Sequence, residues 1–317
     1  MKVVILAAGY GSRMGDLTKK FPKHMLPVAG KPILEWNIKF IKEELNLHEI
    51  IIITGHQEQI IQNYFNDGQK FGVKIKYLTQ DLKKSKGLAA AVLLVKEEIK
   101  NEFIVLLGDN LYRGPYKKLI EMHKINQACV TLHTEFVKDP SRYGVVTMDK
   151  KDKNKIIELK EKPINPASNI VVTGFYIFNL EIFDAIKSIR PSKRGELELT
   201  DAINYLCAGN YKIYGEMIDG WRRDIGFEND LLDASIWMLE NQEDVNVKIL
   251  SNIDSSNVLI PPVFIGKNCE IKDSEIGPYT SIGNNVKIIE SKIKKSIVLD
   301  NTEVIKIELN QEIASFN

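Results

Sequence analysis

The sequence predicts an α/β protein: an open, mostly parallel, Rossmann-like sheet with an antiparallel extension, followed by a short hexapeptide-repeat β-helix. Three observations predict it. In the first two-thirds of the chain, strand-like segments alternate with stretches of helical period, the pattern of right-handed strand-helix-strand crossovers. Residues 128–178 read as a succession of short strands with few helices. From about residue 250 onward, aliphatic residues recur at steps of five and six, which is neither a strand nor a helix period.

Residues 3–8 are a continuous apolar run, as in a strand buried on both faces. Residues 32–47 read as a helix with Ile33, Leu34, Ile38, Ile41 and Leu45 on one face. Strands are expected at 49–54, 73–79 and 102–107, and helices at 57–65 and 88–99. Ligands of such sheets bind beyond the carboxyl ends of the strands. The loops after Ala8, Thr79 and Leu107 are therefore where chemistry is expected. The strands of 128–178 are expected to be antiparallel and to wall a pocket, and helical patterns return at 180–189 and 230–239.

The repeat runs through Ile265, Ile271, Ile276, Ile282, Ile288, Ile293, Val298 and Val304. Each step of five carries a serine two places before its aliphatic residue: Ser274, Ser291 and Ser296. Such a period implies parallel coils with one aliphatic per short strand stacked inside. Two to three rungs are expected, with a catalytic domain over 1–245 and a β-helix domain over 246–317. An open coil end is an aggregation liability that another surface usually covers, so a homo-oligomer is expected.

The chain has 317 residues, with 43 Lys and Arg against 42 Asp and Glu. A net charge of +1 provides no general field for nucleic acid or an anionic membrane, so neither is expected as a partner. Cys129, Cys207 and Cys269 are far apart and show neither a disulfide framework nor a metal pair. With no apolar run of ~18 residues and no leader pattern, a soluble cytoplasmic protein is expected.

The first apolar strand runs into Leu6-Ala7-Ala8-Gly9-Tyr10-Gly11-Ser12-Arg13, followed by Phe21-Pro22-Lys23. Glycines at a strand end let backbone N–H groups converge on phosphate, and Arg13 and Lys23 add cations suited to a polyanion. The spacing is neither a dinucleotide fingerprint nor a P-loop. Asp109 follows the fourth strand, where a carboxylate either holds phosphate-bound Mg²⁺ or caps a turn. Gln80, ending the third strand, has donor and acceptor to read a base edge or is an exposed loop amide. The five histidines lack zinc-ligand spacing, and no nucleophile elbow occurs, so no covalent intermediate is expected.

Residues 6–34 (LAAGYGSRMGDLTKKFPKHMLPVAGKPIL) resemble the signature of sugar-1-phosphate nucleotidylyltransferases, above all the glucose-1-phosphate thymidylyl/uridylyltransferase group. Later landmarks follow in that family's order: Gln80, Gly87-Leu88-Ala89, Gly108-Asp109-Asn110, Tyr143-Gly144, Glu161-Lys162-Pro163, Gly174-Phe175-Tyr176, a run from Arg194 to Asp201, and Trp221-Arg222-Arg223-Asp224. The family often has Pro where Asp16 stands and Gly-Thr where Gly226-Phe227 stands. Many members carry a left-handed β-helix tail.

This resemblance implies transfer of a nucleotidyl group from an NTP, with UTP or dTTP favoured, to a sugar 1-phosphate, with glucose 1-phosphate favoured. It implies Arg13, Lys23 and Lys162 as the catalytic cations. Leu6, Ala7, Ala8, Gly9, Gly11, Ser12, Gln80 and Gly87 would bind the nucleotide. Asn110, Gly144, Glu161, Lys162 and Gly174 would bind the sugar phosphate, and Asp109 and Asp224 would hold Mg²⁺. Two other classes compete: a hexapeptide-repeat acyltransferase and a non-catalytic sugar-nucleotide sensor. All five histidines precede residue 134, so the repeat lacks an imidazole base for acyl transfer. The retained cations and carboxylates speak against the sensor.

Overall fold

The structure is a computed structural model that describes residues 1–84 and 86–315. It divides into two compact units: Met1–Gly9 with Asn37–Arg222, and Tyr10–Trp36 with Arg223–Asn317. The segment expected as a separate domain, 246–317, lies within the second unit, which also takes in 10–36 and 223–245.

The first unit is built on a nine-stranded sheet. Its strands are β1 (Lys2–Leu6), β2 (Glu49–Thr54), β3 (Lys74–Thr79), β4 (Phe103–Leu107), β5 (Val130–Phe136), β6 (Gly144–Met148), β7 (Ile156–Glu161), β8 (Ile170–Phe178) and β9 (Ile213–Glu216). The order β7-β6-β8-β4-β1-β2-β3 forms the main path, with β5 on β8 and β9 on β5. The strands β4, β1, β2 and β3 run parallel. The strands β8, β6 and β7 pair antiparallel, and β8 also pairs antiparallel with β4 and β5. Val3, Val4 and Ile5 are inaccessible, as are Phe103 through Leu106, which is why these strands read as unbroken apolar runs.

The predicted helices appear at Ile33–Glu43, Glu58–Phe65, Glu181–Ser188 and Glu228–Asn241. The one expected over 88–99 is shorter. It runs over Leu88–Leu93, the backbone leaves helical geometry at Val95 (φ −87°, ψ 1°), and a 3₁₀ turn follows at Lys96–Glu98. Two helices, Lys117–Ile125 and Leu199–Ala208, are additions to the sequence reading. The first buries only Leu119 and His123, too narrow an apolar stripe to show as a period.

In the second unit the repeat forms three parallel sheets of five, four and three strands among the described residues. Ile265 pairs with Ile282 and that with Val298; Ile271 with Ile288 and that with Val304; Ile276 with Ile293 and that with Leu309. All of these side chains join one buried column. More rungs form than the two to three expected. Val247–Ile249 and Val258–Leu259 extend the sheets on one side, and Glu308–Asn310 and Ile313–Ala314 on the other. The serines of the short steps line tight corners. Ser274 Oγ donates to the Lys272 carbonyl at 2.7 Å and accepts the Ser291 N–H from the next coil at 3.0 Å. Ser291 repeats this toward Ile289 and Ile307, and Ser296 toward Lys294 and Glu312. A five-residue step is one residue short, and the hydroxyl satisfies the backbone groups that the tightened corner turns inward.

Candidate functional site

In the first unit, the parallel strands end together. The Ala7 N–H donates to the Ile53 carbonyl, Gly108 N–H to the Leu6 carbonyl, and Gln80 N–H to the Thr54 carbonyl, each at 2.8–2.9 Å. Leu6, Ala7, Ala8 and Gly9 thus share one sheet edge with Gln80 and with the turn carrying Asp109. Leu6, Ala7 and Ala8 are buried, whereas Gly9 is exposed and a Cβ there would meet nothing within 4 Å.

Gln80 is 6% exposed, and its amide nitrogen donates to the Gly87 carbonyl at 3.2 Å. Gly87 has φ +103°, and a Cβ there would collide with the Leu197 backbone. Only glycine fits this position. Two backbone bonds fasten the loop: Leu197 N–H to the Lys86 carbonyl at 2.9 Å, and Ala89 N–H to the Leu197 carbonyl at 3.1 Å.

On the other side of the segment 192–200 lies the cluster expected for the sugar phosphate. Lys162 Nζ is 3.5 Å from Glu161 Oε1, and Arg194 Nη2 is 3.7 Å from the same oxygen. Burial pushes the Glu161 carboxyl above its ordinary pKa, against the pull of the Lys162 charge. Glu161, Val172 and Thr200 surround the Cα of Gly144. Lys162 adopts φ +43°, and its N–H donates to the Tyr143 carbonyl at 2.9 Å. A left-handed lysine is strained, and such residues concentrate at functional sites.

Arg194 forks onto Glu198 with three N–H bonds of 2.9–3.1 Å, and Ser192 Oγ donates to the same carboxylate at 2.7 Å. Sequence reasoning gave Arg194, Glu198 and Thr200 no role. The signal available was the run Arg194–Asp201, recognised as a landmark without an assigned function.

Asp109 is half-buried, and its Oδ1 accepts the Asn110 amide N–H at 3.1 Å. Asn110 is 2% exposed, and its amide oxygen accepts from Arg222 Nη1 at 2.6 Å. Gly174 packs on the Leu107 side chain, and its carbonyl accepts the Tyr112 hydroxyl at 2.9 Å. Among the described residues no group of three or more His, Cys, Asp or Glu gathers to hold a metal. Mg²⁺ bound mainly by phosphate oxygens needs only one or two protein carboxylates, and the hard oxygen donors of Asp109 fit that ion.

In the second unit, Gly11 (φ +67°) opens the Ser12–Met14 turn. A Cβ at Gly11 would sit 2.9 Å from the Lys23 Cβ, so its glycine leaves room for the Lys23 stem. Lys23 is 4% exposed, while Ser12 and Arg13 are exposed. The Arg13 guanidinium lies 5.4 Å from the Phe227 ring centroid. Asp224, half-buried, ends the strand Trp221–Asp224 and precedes the helix Glu228–Asn241. The Asp230 carboxylate caps that helix by accepting the N–H groups of Gly226 and Phe227.

Residues 2–241 match the Nucleotidyl transferase family. The chain is 33% identical to the low-salt glycan biosynthesis nucleotidyltransferase Agl11 of Haloferax volcanii, over 96% of this chain and 89% of that protein. It is 38% identical to the UTP–glucose-1-phosphate uridylyltransferase AglF of the same organism, over 74% of this chain and 95% of AglF. The crystal structure of a UDP-glucose pyrophosphorylase complexed with UDP-glucose superposes with a TM-score of 0.68 at 27% identity, over 76% of this chain and 99% of that one. The strand-end loops, the reach of the match and these likenesses agree: the chain belongs to the nucleotidyl transferase family.

Proposed function

We propose that the protein transfers a nucleotidyl group from UTP or dTTP to a sugar 1-phosphate, glucose 1-phosphate in the first place, and releases pyrophosphate. One observation carries this reading. Gln80 with Gly87, and Gly144 with Glu161 and Lys162, are distant in sequence yet meet one segment, 192–200: Gly87 abuts Leu197, Glu161 faces Arg194, and Gly144 abuts Thr200. This supports reading the first group as the base reader and the second as the sugar-phosphate reader.

Gln80 would read the pyrimidine edge, its amide set by the bond to Gly87. Glu161 would accept from sugar hydroxyls, and Lys162 would take the sugar phosphate. A phosphate monoester, with a second pKa near ~6, is already a dianion at neutral pH and needs no general base to attack the α-phosphorus. What the protein must supply is alignment of two polyanions and relief of their repulsion. The segment from Leu6 to Ser12 with Arg13 and Lys23 would serve the triphosphate, and Gly174 and Asn110 would shape the floor of the sugar site. Members of this family generally use a divalent metal. Asp109 would hold Mg²⁺ here with Asp224 as second carboxylate, and the bound ion would offset phosphate charge.

The test is pyrophosphate release with UTP, dTTP, CTP, ATP and GTP, each against the 1-phosphates of glucose, N-acetylglucosamine, galactose and mannose. UTP or dTTP with glucose 1-phosphate should give the highest kcat/KM. A higher value for ATP or GTP would refute the base assignment, and no release with any pair would refute the activity.

A further inference from the structure

We infer that Glu135, Arg222 and Asn110 form a relay that positions the Asp109 carboxylate for its metal, with Arg222 as a positioning residue. This rests on the reading of Asp109 given above. Arg222 is the most deeply buried charged partner of this corner, its side chain 6% exposed. Its Nε and Nη2 donate to the Glu135 carboxylate at 3.0–3.1 Å, and its Nη1 donates to Asn110 Oδ1 at 2.6 Å.

An amide side chain can turn either end toward a neighbour. A guanidinium cannot: all its polar hydrogens donate, and it accepts nothing. Arg222 therefore claims the oxygen of Asn110 and forces the amide nitrogen to the opposite side. There it donates to Asp109 Oδ1 at 3.1 Å. The flipped amide would set N–H groups against the guanidinium, and in a buried place that clash of donors is costly. Glu135 in turn fixes the plane of the guanidinium through its two-oxygen grip. The outcome is a carboxylate that keeps one oxygen hydrogen-bonded and is held in one rotamer. Groups that orient a metal ligand in this way typically change metal affinity by about 10–100-fold when removed.

The sequence hides the relay. Glu135 lies near the end of the strand Val130–Phe136, and Arg222 is one of two adjacent arginines. Glu135 belongs to no motif, and Arg222 stands in the landmark Trp221–Asp224 without an assigned role.

The experiment titrates Mn²⁺ alone into the full chain and reads water-proton relaxation, with Asp109→Asn as the reference for a lost ligand. Arg222→Met keeps the stem and removes the guanidinium. It should weaken Mn²⁺ binding about tenfold or more. Asn110→Ala leaves the Arg222–Glu135 pair intact and should do the same, and the double variant should be no weaker than either single. In turnover, the Mg²⁺ concentration for half-activation should rise while kcat at saturating Mg²⁺ changes less. Should Arg222→Met fail to fold, Asn110→Ala carries the same prediction and decides. Wild-type Mn²⁺ affinity in a folded Asn110→Ala, with only its Tm changed, would overturn the relay. Unchanged Mn²⁺ binding in Asp109→Asn would instead overturn the metal assignment beneath it.

Discussion

The parallel coils and the open sheet both bury aliphatic side chains completely, but different rules set where those side chains fall. In the coils, Ile271, Ile288 and Val304 lie above one another because each coil repeats the one before it in register. Position along the chain is position in the fold, and the same holds for Ser274 and Ser291 at the corners. In the sheet unit, Gly87 meets Leu197, and Asn110 meets Arg222, across more than a hundred residues. Repetition gives a stable column with nothing singular in it. Chemistry needs unlike groups brought to one place, and that comes from long-range packing at strand ends.

If this contrast holds, the two regions should answer substitution differently. Outside the metal site, the largest effect is expected at Lys162. Its side chain is 49% exposed, so Lys162→Met should leave Tm near wild type. Loss of a phosphate-directed cation should lower kcat/KM for the sugar phosphate by about 10². Steady-state kinetics with the sugar phosphate varied checks this, and a large Tm change with normal kcat/KM would put Lys162 with the structural residues.

Next in size is a coil glycine. A Cβ at Gly266 would collide with the Gly283 carbonyl of the next coil, a backbone atom that cannot swing aside. Gly266→Ala should cost about 1–3 kcal/mol of stability. Denaturant unfolding should show the loss, with turnover per folded molecule retained.

Legibility follows the same division. The strands β1, β2 and β4 and the coil aliphatics could be read from the sequence, because each shows as an apolar run or a fixed step. Helix Lys117–Ile125 could not, since only Leu119 and His123 of its residues are buried. The glycines and cations of the expected site were legible as motif residues. The groups that fix their geometry were not legible in that role: Arg194, Glu198 and Arg222 stand in landmark runs with no function assigned, and Glu135 in none. Their meaning lies in partners that spacing does not reveal, and one arginine looks like another in a chain with 43 basic residues.

The smallest expected effect is a pH dependence confined to the sheet unit. Burial, with the Arg222 charge adding to it, pushes the His133 imidazole down to about 3. Its Nδ1 is bonded to Thr173 Oγ1 at 2.7 Å, and its Nε2 is buried with no hydrogen-bond partner among the described residues. Below the unfolded value near 6.5, the unfolded chain binds a proton that the folded chain refuses. Stability is therefore full above pH 6.5 and falls as pH drops toward 3, by about 1.4 kcal/mol per pH unit for one proton. Urea unfolding between pH 7 and 5 should show a shallower fall for His133→Asn than for wild type. The coils, with no histidine after residue 133, contribute nothing to that difference.

One paired substitution tests the central claim most directly. Asp109 and Asp300 are both aspartates at strand ends, one in each region. Asp300 Oδ1 accepts the Asn284 N–H at 2.7 Å and its Oδ2 the Asn284 side-chain N–H at 3.2 Å, both from the neighbouring coil, and an amide there would keep only one of these two acceptors. Pyrophosphate release and Tm should be measured for Asp109→Asn and Asp300→Asn side by side, across a range of Mg²⁺. Asp109→Asn should lose about 10²–10³ in kcat with little change in Tm, and the loss should not deepen much when Asp224→Asn is added. Asp300→Asn should lower Tm and leave kcat near wild type. Near-wild-type turnover in Asp109→Asn, with its Tm lowered instead, would contradict the account.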